Sequence, residues 1–166
     1  MKVDLVASSI RSISEKIKEL ALAFKEGEDF MSEVMNVIFS RKVDDLGTGI
    51  TLRDVVLFQK DDISVVLKHE SGVVKITVSF SPYTIPKEVE DVLGTSILKS
   101  INDVRLSSFI AVAVIVKYAD RILEALKKVE EHIEEASKGV KKFIERVKSA
   151  LGDLLTISLA GENNEY

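Results

Sequence analysis

The chain contains no cysteine and no tryptophan, and its 166 residues include only 2 prolines and 8 glycines. The absence of cysteine excludes disulfide scaffolds, zinc–thiolate sites, iron–sulfur clusters and thiol catalysis. The scarcity of proline and glycine excludes collagen-like and low-complexity chains. Hydrophobic residues make up 46% and charged residues 30%. This composition is typical of a globular domain rather than of a disordered segment.

An excess of basic residues is also missing. The net charge is −4 and the pI is near 5.3, so nucleic-acid binding by the chain as a whole is not expected. The longest strongly apolar run, Leu106 to Val116, is shorter than the ~20 residues of a membrane span, and the charged N-terminus does not match a secretory signal. We therefore expect a cytoplasmic protein. Gln59 is the only glutamine, and with abundant Lys and Glu this bias is typical of thermophile proteins.

Apolar residues at alternating steps of three and four predict a helix at the N-terminus. The members of this stripe are Val3, Val6, Ile10, Ile13, Ile17, Leu20 and Phe24. The spacing is typical of a coiled-coil face. Gly27 is expected to end this helix as its C-terminal glycine, and Asp29 to cap a second helix that runs to about Lys42.

From residue 50 to residue 81 the apolar period changes to two. Two alternating segments begin at Ile63 and Val74, and the short turn 69–72 between them predicts a β-hairpin. A further strand from Leu52 to Phe58 completes a three-stranded antiparallel meander. The alternation selects four residues for the buried face of the last strand, Val74, Ile76, Val78 and Phe80. Pro86 then suits the start of another helix, which Ile97, Leu98 and Ile101 continue past Gly94.

The last third of the chain carries one long amphipathic pattern. Its 4-3 repeat runs from Ile115 to Leu154 and predicts a coiled-coil-like helix over about 109–155, although the β-branched content of 109–116 also permits a strand. A continuous helix of that length exceeds a compact domain of this size. It therefore either folds back near Gly139 or is covered by a second chain, and the repeat passes Gly139 in phase.

These patterns predict an α+β fold that is predominantly helical, with the meander of about 50–81 flanked by an N-terminal helical pair and the long C-terminal helix. We expect one α+β domain over 1–160, with a helical extension at about 109–155. The tail 161–166 is expected to be disordered.

Residues that could carry chemistry are few. Gly47-Thr48-Gly49 lacks the rest of a phosphate-binding loop, and His69-Glu70 lacks the second histidine of a zinc motif. His132 and Glu135 share a helix face, but two ligands do not make a metal site. Two carboxylate pairs are typical of turns, Asp44-Asp45 and Asp61-Asp62. The sequence nominates no catalytic residue, no cofactor and no metal site, and enzymatic activity is not expected.

Charge along the C-terminal helix indicates assembly. Residues 124–135 contain five Glu and two Lys, a net charge of −3, and residues 138–148 contain five Lys or Arg and one Glu, a net charge of +4. Antiparallel pairing places the acidic half against the basic half. A nucleic-acid surface on the basic half is disfavoured because no aromatic residues are interleaved for stacking, apart from Phe143 of the apolar stripe.

The resulting functional hypothesis is a non-enzymatic assembly or protein-binding module, either a homo-oligomer, with a homodimer favoured, or a complex with another helical protein. Its predicted interface residues are Ile122, Leu126, Val129, Ile133, Val140, Phe143 and Val147. The alternative is a small-molecule-binding or enzymatic α+β domain with a pocket between the sheet and the helices.

Overall fold

A computed structural model describes residues 1–80, 87–94 and 106–164. The chain divides into two compact units, residues 1–122 and residues 123–166. The boundary falls within the predicted C-terminal helix, and the single-domain organisation over 1–160 stays a prediction. The fold is α+β, with mostly helical secondary structure and one antiparallel sheet, as the sequence predicts.

The first helix, α1, runs from Lys2 to Val37 without a break. The prediction of two helices separated near Gly27 is therefore wrong. A Cβ atom built on Gly27 would lie 2.3 Å from Cζ of Phe109, so the glycine lets an aromatic ring pack against the helix instead of ending it. The chain leaves the helix at Ile38, and β1 spans Ser40–Lys42, where the sequence predicted the end of a second helix.

The sheet has four antiparallel strands in the order β1-β4-β3-β2. Beside β1, the strands are β2 at Val55–Lys60, β3 at Ile63–Glu70 and β4 at Val73–Ser79. The predicted three-stranded meander is confirmed as β2–β3–β4, and β1 extends it along β4. Ser71 and Gly72 both have positive φ, which is typical of a two-residue hairpin turn between β3 and β4.

One face of the hairpin is buried, as the alternation predicts. Val65 on β3 is fully buried, and Leu67 on the same strand is nearly so. Ile76 and Val78 pair directly with Leu67 and Val65, and directly paired residues share a face of the sheet. The four β-strand residues predicted to be buried, Val74, Ile76, Val78 and Phe80, are only half-buried. The predicted face is therefore right, and the predicted extent of burial on β4 is wrong.

Three further helices complete the described chain. They are α2 at Lys87–Leu93, α3 at Ser107–Lys117 and α4 at Ala119–Asn164. The predicted helix at Pro86 is present as α2, while its continuation at residues 97–101 lies outside the described residues.

The structure resolves both alternatives that the sequence left open in the C-terminal third. Residues 109–116 are helical within α3, so the strand alternative there is wrong. The single predicted helix is two helices, because the backbone leaves helical geometry at Tyr118 (φ −111°, ψ 23°). α4 is continuous through Gly139, so no hairpin forms there, and it reaches Asn164, within the predicted tail.

The buried residues of the first unit belong mainly to β2, β3 and α3. Five of the eleven residues of α3 are buried, and Val114 is fully buried. α3 is apolar on every side, which is typical of a helix that packs against neighbours all round. The described part of the chain supplies those neighbours from α1, α2 and β4.

Candidate assembly interface

The predicted interface residues lie along one side of α4, and three of the seven are exposed. Ile122 is 3% exposed and belongs to the core of the first unit. Farther along, Ile133, Val140 and Phe143 are exposed by 44%, 59% and 65%. The remaining three, Leu126, Val129 and Val147, are half-buried. The middle of the predicted stripe is therefore an open apolar surface.

The apolar surface of α4 is broader than the predicted stripe. Leu123, Ile144 and Leu151 each follow a stripe position by one residue, and they are exposed by 51%, 45% and 39%. On a helix, each of these positions adjoins the same edge of the stripe. In a coiled coil with only two apolar positions in every seven residues, this edge of the stripe is polar. Sequence reasoning missed these three residues because it followed only the 4-3 repeat.

The charges beside this surface separate into an acidic and a basic block. Residues 124–135 have a net charge of −3 and residues 138–148 a net charge of +4. Among the described residues, none of the charged groups of these blocks lies within 4.0 Å of an opposite charge. Both blocks are therefore available to a partner of complementary charge.

The N-terminal part of α1 carries a second uncovered stripe. The exposed members, with their exposed fractions, are Val3 67%, Val6 62%, Ile10 64%, Ile13 52%, Ile17 61% and Leu20 43%. Phe24, the next position of the repeat, is instead half-buried, and its ring meets that of Phe109 edge-on at 5.9 Å between centroids. Other residues of the chain therefore cover this stripe from Phe24 onward, whereas its members before Phe24 are exposed to solvent.

The covered part of α1 is fixed by a side-chain cap across two helices. Oε1 of Glu28 accepts a hydrogen bond from the backbone N–H of Ser108 at 2.8 Å, and Oε2 accepts one from that of Phe109 at 3.0 Å. These two N–H groups begin α3 and have no partner within the helix. A carboxylate at a helix N-terminus also interacts favourably with the helix dipole. Glu28 and Gly27 together set where α3 lies on α1.

The two histidines do not form a reactive site. His69 is buried near the end of β3, and its Nδ1 accepts a hydrogen bond from the N–H of Leu52 at 3.1 Å. It is therefore a structural strand residue, not the turn residue that the sequence indicates. His132 is exposed on α4 beside the apolar stripe.

Acidic residues have structural partners. The Asp45 carboxylate accepts hydrogen bonds from the backbone N–H groups of Gly47 and Gly49, which shapes that loop. Lys117 lies 3.0 Å from Asp91, and its hydrogen bond and positive charge lower the pKa of the Asp91 carboxyl below its usual value. Within the described ranges, no group of three His, Asp or Glu side chains could hold a metal ion.

A cavity of about 500 Å³ lies between β4 and the helices α1 and α3. Its lining in the described part of the chain mixes polar and apolar residues. The polar ones are Asn36, Ser40, Lys75, Thr77, Ser79, Ser107 and Ser108, and the apolar ones are Met35, Ile76, Val78, Phe80 and Ala111. The sequence predicted a pocket in this place only as the alternative to assembly, and it could not name the lining because β1 was not predicted.

No protein-family model, curated protein or solved structure matches the chain. In the described residues, no helix combines the length and the hydropathy that a membrane crossing requires. The two open apolar stripes are the features of the described chain that its own fold does not account for.

Proposed function

We propose that the protein is a non-enzymatic assembly module that associates through the apolar surface of α4. The observation that carries the proposal is the exposure of Ile133, Val140 and Phe143 in the middle of a 4-3 repeat. A repeat of this kind fits the complementary repeat of another helix, whose knobs fill its holes. The partner is therefore helical, and a second copy of this chain carries a suitable helix.

The free energy that the apolar surface can supply is of the same order as the cost of association. Fully burying a Val, Leu, Ile or Phe side chain contributes about 1.5–3 kcal/mol, so a half-exposed side chain contributes about 1 kcal/mol. The six stripe residues from Leu126 to Val147, taken from two copies, supply roughly 10 kcal/mol. Association costs about 4–15 kcal/mol in lost freedom. Exposed ion pairs add only about 0.2–1 kcal/mol each, so the apolar surface provides most of the affinity and charge selects the direction.

Light scattering over a range of protein concentrations tests the proposal. We expect a solution mass that is a multiple of the 18.4 kDa chain mass and that falls on dilution. A mass of one chain at every concentration, with no helical partner added, contradicts self-assembly.

The cavity beside β4 supports a second candidate, a small-molecule-binding domain. Its volume of about 500 Å³ lies within the range of ligand pockets, and the hydroxyl groups and Lys75 in its lining suit a ligand with polar groups. The test is a thermal-shift screen of small polar metabolites with the wild type and with Ser79→Phe, which places a ring at the rim. Stabilisation of the wild type alone supports a ligand site there, and no stabilisation by any compound argues for the assembly function.

A further inference from the structure

We propose that the partner of α4 is a second copy of α4, antiparallel to the first, with the two-fold axis beside Ser137 and Gly139. This inference rests on the proposed assembly function and names its partner, direction and register. The acidic block precedes the basic block on one continuous helix. An antiparallel copy places each block opposite its complement, whereas a parallel copy places like charge against like.

The repeat limits the registers that such a pair can take. In each layer of the interface, a residue from one series of the repeat faces a residue from the other series on the second helix. The first series is Leu126, Ile133, Val140 and Val147, and the second is Val129, Ala136, Phe143 and Ala150. Two registers satisfy this rule while keeping the charge blocks opposed. In one, Ile133 faces Phe143 of the second copy, and in the other it faces Ala136.

The length of the overlap distinguishes these two registers. When Ile133 faces Phe143 of the second copy, Ala119 at the start of α4 lies level with residue 157, so the overlap includes Leu151 and Leu154. When Ile133 faces Ala136 instead, Ala119 lies level with residue 150, and both leucines extend beyond the start of the second helix. These leucines are exposed by 39% and 64%. The first register covers more apolar surface and is therefore selected.

The selected register also accounts for apolar residues outside the strict seam. It places Leu123, 51% exposed, opposite Leu151 of the second copy, 39% exposed. The pair occurs twice, once at each end of the two-fold interface. Both leucines are thereby removed from water. They lie on the edge of the stripe that is polar in a coiled coil with only two apolar positions in every seven residues.

The same register gives a reason for Gly139, whose position no contact within the single chain explains. Glycine weakens a helix interior, and a Cβ built on Gly139 would meet nothing within 4 Å. Beside the two-fold axis, Gly139 faces its own copy on one flank and Ser137 faces its own copy on the other. Small residues on both flanks let the two helices approach closely at their crossing.

The absence of cysteine gives a direct test by single-cysteine cross-linking. Ser137→Cys is a nearly isosteric change at the axis, and we expect most of the chain to form a disulfide-linked dimer under mild oxidation. Ser149→Cys is the matched control on an exposed position of the same helix. In the proposed register its two copies lie about 30 Å apart along the helices, too far for a disulfide. Val147→Cys tests for a parallel pair, because residue 147 faces residue 147 of the second copy only when the two helices are parallel.

Each outcome bears on the inference separately from the proposed function. Cross-linking of Ser137→Cys with none at Ser149→Cys supports the antiparallel pair. Cross-linking of Val147→Cys in place of Ser137→Cys overturns it in favour of a parallel pair. A solution dimer in which neither Ser137→Cys nor Val147→Cys cross-links also overturns it, while the assembly function stands. A single-chain mass for the wild type contradicts both.

Discussion

The helices α3 and α4 follow one another along the chain and both carry many apolar residues, but these residues are buried in α3 and exposed in α4. α3 is buried along five of its residues, and Val114 has no exposed surface. In α4, no described side chain from residue 123 onward is buried, and Phe143 is 65% exposed. Apolar residues on a helix therefore mark surface that favours contact, but they do not say which chain supplies the contact. α3 obtains its cover within the first unit, and we propose that α4 obtains it from a second copy.

The largest effect should follow from placing charge in the apolar surface of α4. Leu126→Asp/Ile133→Asp buries two carboxylates in the proposed interface, so we expect assembly to weaken roughly 100-fold or more, with little relief from salt. Light scattering at low and high salt measures the change. Glu124→Asp/Glu131→Asp is the control, because it places aspartates with the same spacing on the opposite face. An unchanged mass for the stripe variant would show that this surface is not an interface.

The second prediction compares a buried residue of β3 with a half-buried residue of β4. Leu67 on β3 is 8% exposed, whereas its cross-strand neighbour Ile76 on β4 is half-buried. We expect Leu67→Ala to lower the free energy of unfolding by about 2–5 kcal/mol and Ile76→Ala by about half as much. Urea unfolding of both variants measures the difference. Equal costs would mean that Ile76 is packed as completely as Leu67.

The contact between α1 and α3 gives the next prediction. Gly27→Ala adds a Cβ about 2.3 Å from Cζ of Phe109, and because the backbone of α1 cannot move independently, we expect a loss of about 1–3 kcal/mol in stability. Gly152→Ala is the matched control, since a Cβ there meets nothing within 4 Å. This control should gain up to about 1 kcal/mol from the better helix former. Stability that rises in both variants would contradict the close ring contact.

Much of this fold was predictable from periodicity, and the exceptions share a cause. The alternation of Ile63, Val65 and Leu67 identified β3 because one face of a strand needs cover from within the domain. Gly27 misled the prediction, because a glycine that ends a helix and a glycine that admits a neighbouring ring are identical in sequence. Only the tertiary contact with Phe109 distinguishes them. The break at Tyr118 was also invisible in the sequence, since no glycine or proline marks it.

The candidate site was predictable in part. The stripe of α4 could be identified from its repeat, and its exposure could not, since exposure depends on what the rest of the chain covers. The edge formed by Leu123, Ile144 and Leu151 is visible in the sequence once three positions per heptad are considered. The lining of the cavity could not be predicted, because β1 is too short to show a period and Ser40 on it contributes to the lining.

A smaller effect tests whether charge sets the direction of α4 pairing. Lys141→Glu/Lys142→Glu reverses two charges of the basic block, which lies alongside the acidic block of the second copy in an antiparallel pair. Both positions lie on the outer side of the helix, so we expect assembly to weaken only about threefold at low salt. The defect should shrink in 1 M salt, where the Debye length is about 3 Å.

Adding Glu134→Lys/Glu135→Lys to the same chain should restore the wild-type affinity. The reversed positions lie seven residues apart on one helix, a spacing at which side chains of that helix do not pair directly. Analytical ultracentrifugation of the three proteins measures the affinities. A four-substitution chain that assembles no better than the double variant would argue against the antiparallel direction.

The smallest effect concerns a charge pair that is already satisfied within one chain. Lys117 holds the pKa of Asp91 below its usual value through a hydrogen bond and its positive charge. A carboxylate with a lowered pKa in the folded state stabilises the fold above its unfolded pKa, and that contribution is lost as the pH falls through the folded pKa. We expect Lys117→Met to raise the Asp91 pKa toward its usual value, as followed by NMR titration of the carboxyl carbon. The stability of the first unit should then depend less on pH in the acidic range, and the solution mass should not change, because this pair closes within one copy.

Lys127→Met, which removes a lysine from α4 instead, should leave the Asp91 pKa where it is. An Asp91 pKa that does not move in Lys117→Met would show that the 3.0 Å pair does not persist in solution.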